Sequence, residues 1–121
     1  MKPLDKERAH AIAHATIEAW NSHDLARILA HYSEDVVLVS PVAVERMGDP
    51  TGTVRGKAML RTYFGKALAA YPELRFDLED VMWGLRSVVL YYRNQRGTKT
   101  GEFMEIDDAG KISKVVANYS G

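Results

Sequence analysis

The sequence predicts an α+β domain in which three N-terminal helices pack on one face of a curved antiparallel sheet. Two observations carry this. Apolar residues recur every three or four positions up to Tyr71, and after Pro72 the period falls to two. Gly84, Gly97 and Gly110 then punctuate the chain at hairpin spacing. The order of helix, helix, strand, helix and four strands places the helices together against one sheet. With 121 residues and 46% hydrophobic content, residues 1–121 suit a single domain that buries roughly two thirds of its unfolded surface.

Asp5 is positioned to cap a first helix running to about Trp20, because Ala9, Ile12, Ala13, Thr16 and Trp20 share one face. Asn21 and Ser22 interrupt the pattern, and Asp24 caps a short second helix bearing Leu25, Ile28, Leu29 and Tyr32. DVVLVS, residues 35–40, is the first strand, ended by Pro41. From Pro41 to Arg55 no period is sustained. Gly48, Pro50 and Gly52 suggest a long mobile loop at the mouth of a site. A third helix spans about Gly56 to Tyr71, with Met59, Leu60, Tyr63, Phe64, Ala67 and Leu68 as its apolar stripe. Strands follow at about 74–83, 87–95, 98–107 and 111–119.

Sixteen basic residues cancel sixteen acidic ones, and no run of Lys or Arg exists to neutralise phosphates or hold a membrane surface. Nucleic acid and membrane are therefore not expected partners. The absence of cysteine excludes disulfides, a thiolate nucleophile and a Cys-type zinc site. The first twenty residues are charged and amphipathic, without the apolar core of a signal peptide, so a cytoplasmic location is expected.

His10 and His14 lie one helical turn apart, with Glu7 and Glu18 on the same side, a spacing that can hold a metal. They lie opposite the Ile12 and Trp20 face, so a solvated helix surface is expected and no metal or cofactor. No Ser-His-Asp arrangement, phosphate loop or dinucleotide fingerprint can be assembled, since the glycines fall at turns. In SVVLYYRNQ, Val88, Leu90 and Tyr92 point one way while Val89 and Tyr91 point the other. Three helices cannot cover both faces of a sheet, so a homodimer through the outer face is expected.

Trp20, Tyr32, Tyr63, Phe64, Phe76 and Tyr91 or Tyr92 all occupy inward positions, either as core filler or as the wall of an apolar pocket. The polar groups expected to point inward are Thr16, Ser40, Glu102, Asn118 and, on a regular strand, Asp80. In GEFMEIDDAGKI the alternation sets Glu102 on the face of Met104 and Ile106, a carboxylate among apolar neighbours. Five such groups are many for a solid core of this size.

AWNSHDLARILAHYSEDVVLVSP, the helix start GKAMLRTYF and the ending EFMEIDDAGKISKVVANY together resemble the SnoaL-like branch of the nuclear transport factor 2-like superfamily, over about residues 9–119. The resemblance implies a cone, with a curved sheet around an interior pocket closed by three helices, usually dimeric through the outer sheet face. Its members include isomerases, cyclases, dehydratases, epoxide hydrolases and non-catalytic binding modules. Ketosteroid isomerase, in the same superfamily, keeps a carboxylic acid protonated in an apolar site. The resemblance sets Glu102 at that acid's position. The positions of that enzyme's base and phenol donor carry Ser40 and Thr16, neither of which can take the original role. SnoaL-type cyclases use an acid inside the same cone, a role open to Glu102 or Asp80.

The expected function is binding of a small apolar or amphipathic molecule by Thr16, Trp20, Tyr32, Ser40, Tyr63, Phe64, Tyr92, Met104 and Asn118. Glu102, with Asp80, serves as the acid/base group of a metal-free isomerisation, cyclisation or dehydration. The alternative is a non-catalytic dimeric module with a packed cone. Pocket volume and the protonation of Glu102 separate the two, since burial in an apolar cone raises a carboxyl pKa.

Overall fold

The computed structural model describes residues 2–121. In chain order the elements are α1 (Lys6–Asn21), α2 (Leu25–Leu29), β1 (Tyr32–Val39), α3 (Pro41–Arg46), β2 (Thr53–Arg55), α4 (Lys57–Ala70), β3 (Asp77–Trp83), β4 (Ser87–Arg93), β5 (Lys99–Ile106) and β6 (Ile112–Tyr119). Both expected caps form: Asp5 accepts from Arg8 N at 2.8 Å and Asp24 from Arg27 N at 3.2 Å. The six strands make one sheet in the order β2-β1-β6-β5-β4-β3. Its pairings are antiparallel except β1 with β6, which is parallel, Leu38 lying beside Val115. Hairpin spacing reveals only sequential neighbours, and this pair joins strands more than seventy residues apart in sequence.

The core lies between the helices and the inner sheet face. Ala9, Ala13, Ile17 and Trp20 of α1 and Leu60, Tyr63 and Phe64 of α4 are buried against Val36, Val88, Leu90, Met104 and Val115. Each large side chain so placed contributes about 1.5–3 kcal/mol. Two side chains fasten the α1–α2 corner to the approach to β3. The Asn21 amide exchanges two hydrogen bonds with the Phe76 backbone, at 2.9 and 2.8 Å, and His23 Nε2 lies 2.6 Å from Leu74 O.

The stretch expected as a structureless loop holds α3 and β2 instead. Ser40 ends β1 and caps α3, its Oγ accepting from Val42 N at 3.1 Å, while Pro41 takes the first helical position. Ser40 N donates to Gly52 O at 2.9 Å. Gly52 holds φ +65, and a Cβ there would lie 2.5 Å from the Ser40 carbonyl oxygen, so only glycine closes this turn.

Two irregularities in the sheet reverse the direction of two predicted inward residues. Between Leu78 and Asp80 the β3 register slips, so Leu78 faces Tyr92 and Asp80 pairs with the outward Tyr91. Asp80 is consequently exposed, its carboxylate accepting from Val81 N at 2.8 Å. In β6 the register shifts opposite Glu105 and Ile106. Ile112 and Val115 are therefore both buried, and the inward parity continues through Ala117 to Tyr119. Asn118 falls on the outer face, exposed, with Nδ2 donating to Gly101 O at 3.2 Å.

Candidate functional site

A cleft of about 130 Å³ opens between α3, α4 and the inner face of the sheet. Sheet register supplies its floor. Glu102 lies between Leu90 on β4 and Ala117 on β6, and in the neighbouring row Thr100 lies between Tyr92 and Tyr119. The single methyl group of Ala117 leaves room beside the glutamate. The wall is aromatic: Trp20 meets Phe64 edge-on at 4.7 Å, and Phe76 meets Tyr92 at 4.6 Å between centroids. Arg46, stacked on Tyr71, and Arg96, stacked on Tyr119, also border the cleft.

Burial in these apolar surroundings pushes the Glu102 carboxyl up from 4.5 to about 7. The nearby Tyr92 hydroxyl acts the other way, because it favours the ionised form. In the row beside Tyr92, Thr100 Oγ1 accepts from Asn94 Nδ2 at 3.0 Å. Burial, then the Glu102 charge, raises Tyr32 and Tyr92. Burial raises Tyr63 and carries Tyr119 up to about 12, so these phenols keep their protons at neutral pH. Ser40 Oγ lies 3.5 Å from both the Tyr63 and the Tyr119 hydroxyls.

Of the residues singled out from sequence, Glu102, Trp20, Ser40, Tyr63, Phe64 and Tyr92 border the cleft. Thr16, Tyr32 and Met104 point inward but lie in the packed core behind it, at most 2% exposed. The Thr16 hydroxyl is spent on Ile12 O at 2.8 Å. Asp80 and Asn118 lie outside. Sequence reasoning missed Tyr119, Thr100, Asn94 and the two arginines. Once Ala117 is known to face inward, two-residue alternation along β6 delivers Tyr119. His10 and His14 have ring centroids 6.3 Å apart on α1, and among the described residues no group of three or more His, Asp or Glu side chains is placed to hold a metal. No helix among the described residues is long and apolar enough to cross a membrane.

The profile of the SnoaL-like domain matches residues 13–115. A comparison with curated proteins gave no match. Among solved structures, a SnoaL-like protein of Burkholderia thailandensis is 32% identical with a TM-score of 0.95, the match covering 99% of this chain and 100% of that one. A candidate ketosteroid isomerase of Kribbella flavida is 18% identical with a TM-score of 0.76, covering 95% of this chain and 79% of that one. The epoxide hydrolase/cyclase-like enzyme SalBIII, of pyran ring formation in the polyether salinomycin, is 18% identical with a TM-score of 0.75, covering 96% and 93%. The last two likenesses establish the shared cone fold.

Proposed function

Because the chain belongs to the SnoaL-like domain family, we propose that its cleft binds a small, largely apolar or amphipathic molecule, with Glu102 as acid or base for an isomerisation, cyclisation or dehydration. One observation carries this reading: an open aromatic cleft of about 130 Å³ holds a carboxyl group raised to about 7. Near neutral pH such a group is present in both forms and can give as well as take a proton. A packed cone would leave no such volume. Structural relatives named as isomerase and cyclase keep the same fold, which supports proton-transfer chemistry here as the class. Asp80, on the outer face, takes no part.

The test joins a titration to a variant. Carbon NMR should show Glu102 ionising near pH 7, and small aromatic compounds should shift the resonances of Glu102, Tyr92 and Phe64 together. Glu102→Gln keeps the shape and a hydrogen-bond donor while removing proton transfer. It should preserve binding and abolish any turnover found. Ionisation near 4.5, or compounds that perturb nothing in the cleft, would defeat the reading.

The same reading includes a homodimer through the outer face of the sheet. Its support is an apolar row crossing five strands, in which Val39, Val116, Phe103, Val89 and Met82 are consecutive cross-strand neighbours.

A further inference from the structure

The hydroxyls of Tyr63 and Tyr119 reach the cleft from opposite sides, one on α4 and the other on β6, and converge on one atom, Ser40 Oγ. Both contacts are 3.5 Å, well beyond the 2.7–2.8 Å of an ordinary O–H···O bond. Ser40 Oγ is itself engaged at shorter range by Val42 N, at 3.1 Å, and its position is fixed by its place at the start of α3. It cannot move to satisfy either phenol without uncapping that helix. Two phenolic protons thus border the cleft with no acceptor closer than these long contacts, although Tyr63 is only 6% exposed and burial holds both groups in the protonated, donating form. Arg46 stands near Tyr63 and Arg96 near Tyr119, but Glu102 also faces both phenols and its charge outweighs Arg96 at Tyr119. Partial negative charge at this point is therefore favoured when Glu102 is protonated.

Resting on the cleft reading above, we propose that Tyr63 and Tyr119 form a two-donor subsite for a carbonyl oxygen of the ligand. An oxygen carrying two lone pairs and no proton matches a pair of donors, and water fills the place until the ligand arrives. The rest of the ligand lies against Trp20, Phe64 and Phe76. The two phenols are specificity-determining residues: they select carbonyl compounds over hydrocarbons of the same shape, since leaving the donors dry and unpaired is costly.

Acetophenone and ethylbenzene, which share a ring and differ in the carbonyl, are the probes. Their affinities are read by NMR titration, and the acetophenone C=O stretch by infrared difference spectroscopy. The unaltered protein should prefer acetophenone and shift its C=O stretch to lower wavenumber. Tyr63→Phe and Tyr119→Phe should each weaken acetophenone by about fivefold, the worth of one ordinary hydrogen bond, and move the stretch part of the way back. Both variants should bind ethylbenzene at least as tightly as the unaltered protein does, because the stranded donor is gone, which also shows that the cleft is still formed. Equal loss of both probes, or no change in either affinity or stretch, would overturn the subsite. If neither probe bound the unaltered protein, the cleft reading and the subsite would fall together. If Glu102 ionised near its ordinary value while the phenol variants behaved as stated, the acid/base reading would fall and the subsite would stand.

Discussion

Glu102 is held between two opposing influences, burial that favours its neutral form and the Tyr92 hydroxyl that favours its charged form, and burial is the larger. This predicts a particular dependence of stability on pH. Below about 4.5 the group is protonated folded and unfolded alike, so its favourable contribution is fully present. As pH rises towards about 7 the unfolded chain releases this proton first, and that contribution is lost; beyond the folded value the loss levels off. The stability difference between the unaltered protein and Glu102→Gln, measured by urea denaturation, should shift against the unaltered protein across this window and stay flat on either side. A constant difference from pH 4 to 8 would show that folding leaves this carboxyl unshifted. Tyr92→Phe gives the complementary outcome. It removes the hydroxyl that favours the carboxylate, so carbon NMR should place Glu102 above its value in the unaltered protein.

Gly52 shows how an element far from the cleft floor positions the site. It shares a positive φ with Gly48, +65 against +67, but only at Gly52 would a Cβ meet backbone, at 2.5 Å from Ser40 O, whereas Gly48 has nothing within 4 Å. Left-handed backbone at a non-glycine residue costs about 1–2 kcal/mol, which Gly48→Ala should lose in a denaturant melt. Gly52→Ala should lose that and more, and should shift the NMR resonances of Ser40 and Tyr63; equal losses would mean that the Ser40 contact is easily relieved. The same elements mark what was legible in the sequence. The amphipathic stripes of α1 and α4, the caps Asp5 and Asp24, and the inward Glu102 all follow from period and local chemistry. The Ser40-Pro41 start of α3 was also written there, as a cap followed by proline, but was hidden by the two prolines and two glycines from Pro41 to Arg55, which break any sustained period. The directions of Asp80 and Asn118 could not be read, because one residue slipped in β3 and another in β6 reverses every later side chain, and nothing local in the sequence marks either slip. The parallel β1–β6 pair was equally hidden, since it depends on where two distant strands meet.

At the scale of the whole molecule, the helices cover one face of the sheet and leave the other bare. Inward Val88 and Leu90 have no exposed surface, while outward Tyr91 is 38% and Met82 53% exposed. The row from Val39 through Phe103 to Met82 lies on this open face. A contiguous apolar band of this kind is rarely left to water. Sixteen charges of each sign give the chain no net charge, so two copies approach without long-range repulsion. A second copy related by a two-fold axis would set one band against the other, the commonest arrangement of soluble oligomers. Sedimentation at micromolar concentration should therefore find a dimer. Phe103→Lys places a charge in the middle of the band, on the face that no helix covers, so it should yield a folded monomer that binds cleft ligands unchanged. A dimer that persists with Phe103→Lys would move the interface elsewhere, and a monomer at every concentration would leave the band as open surface.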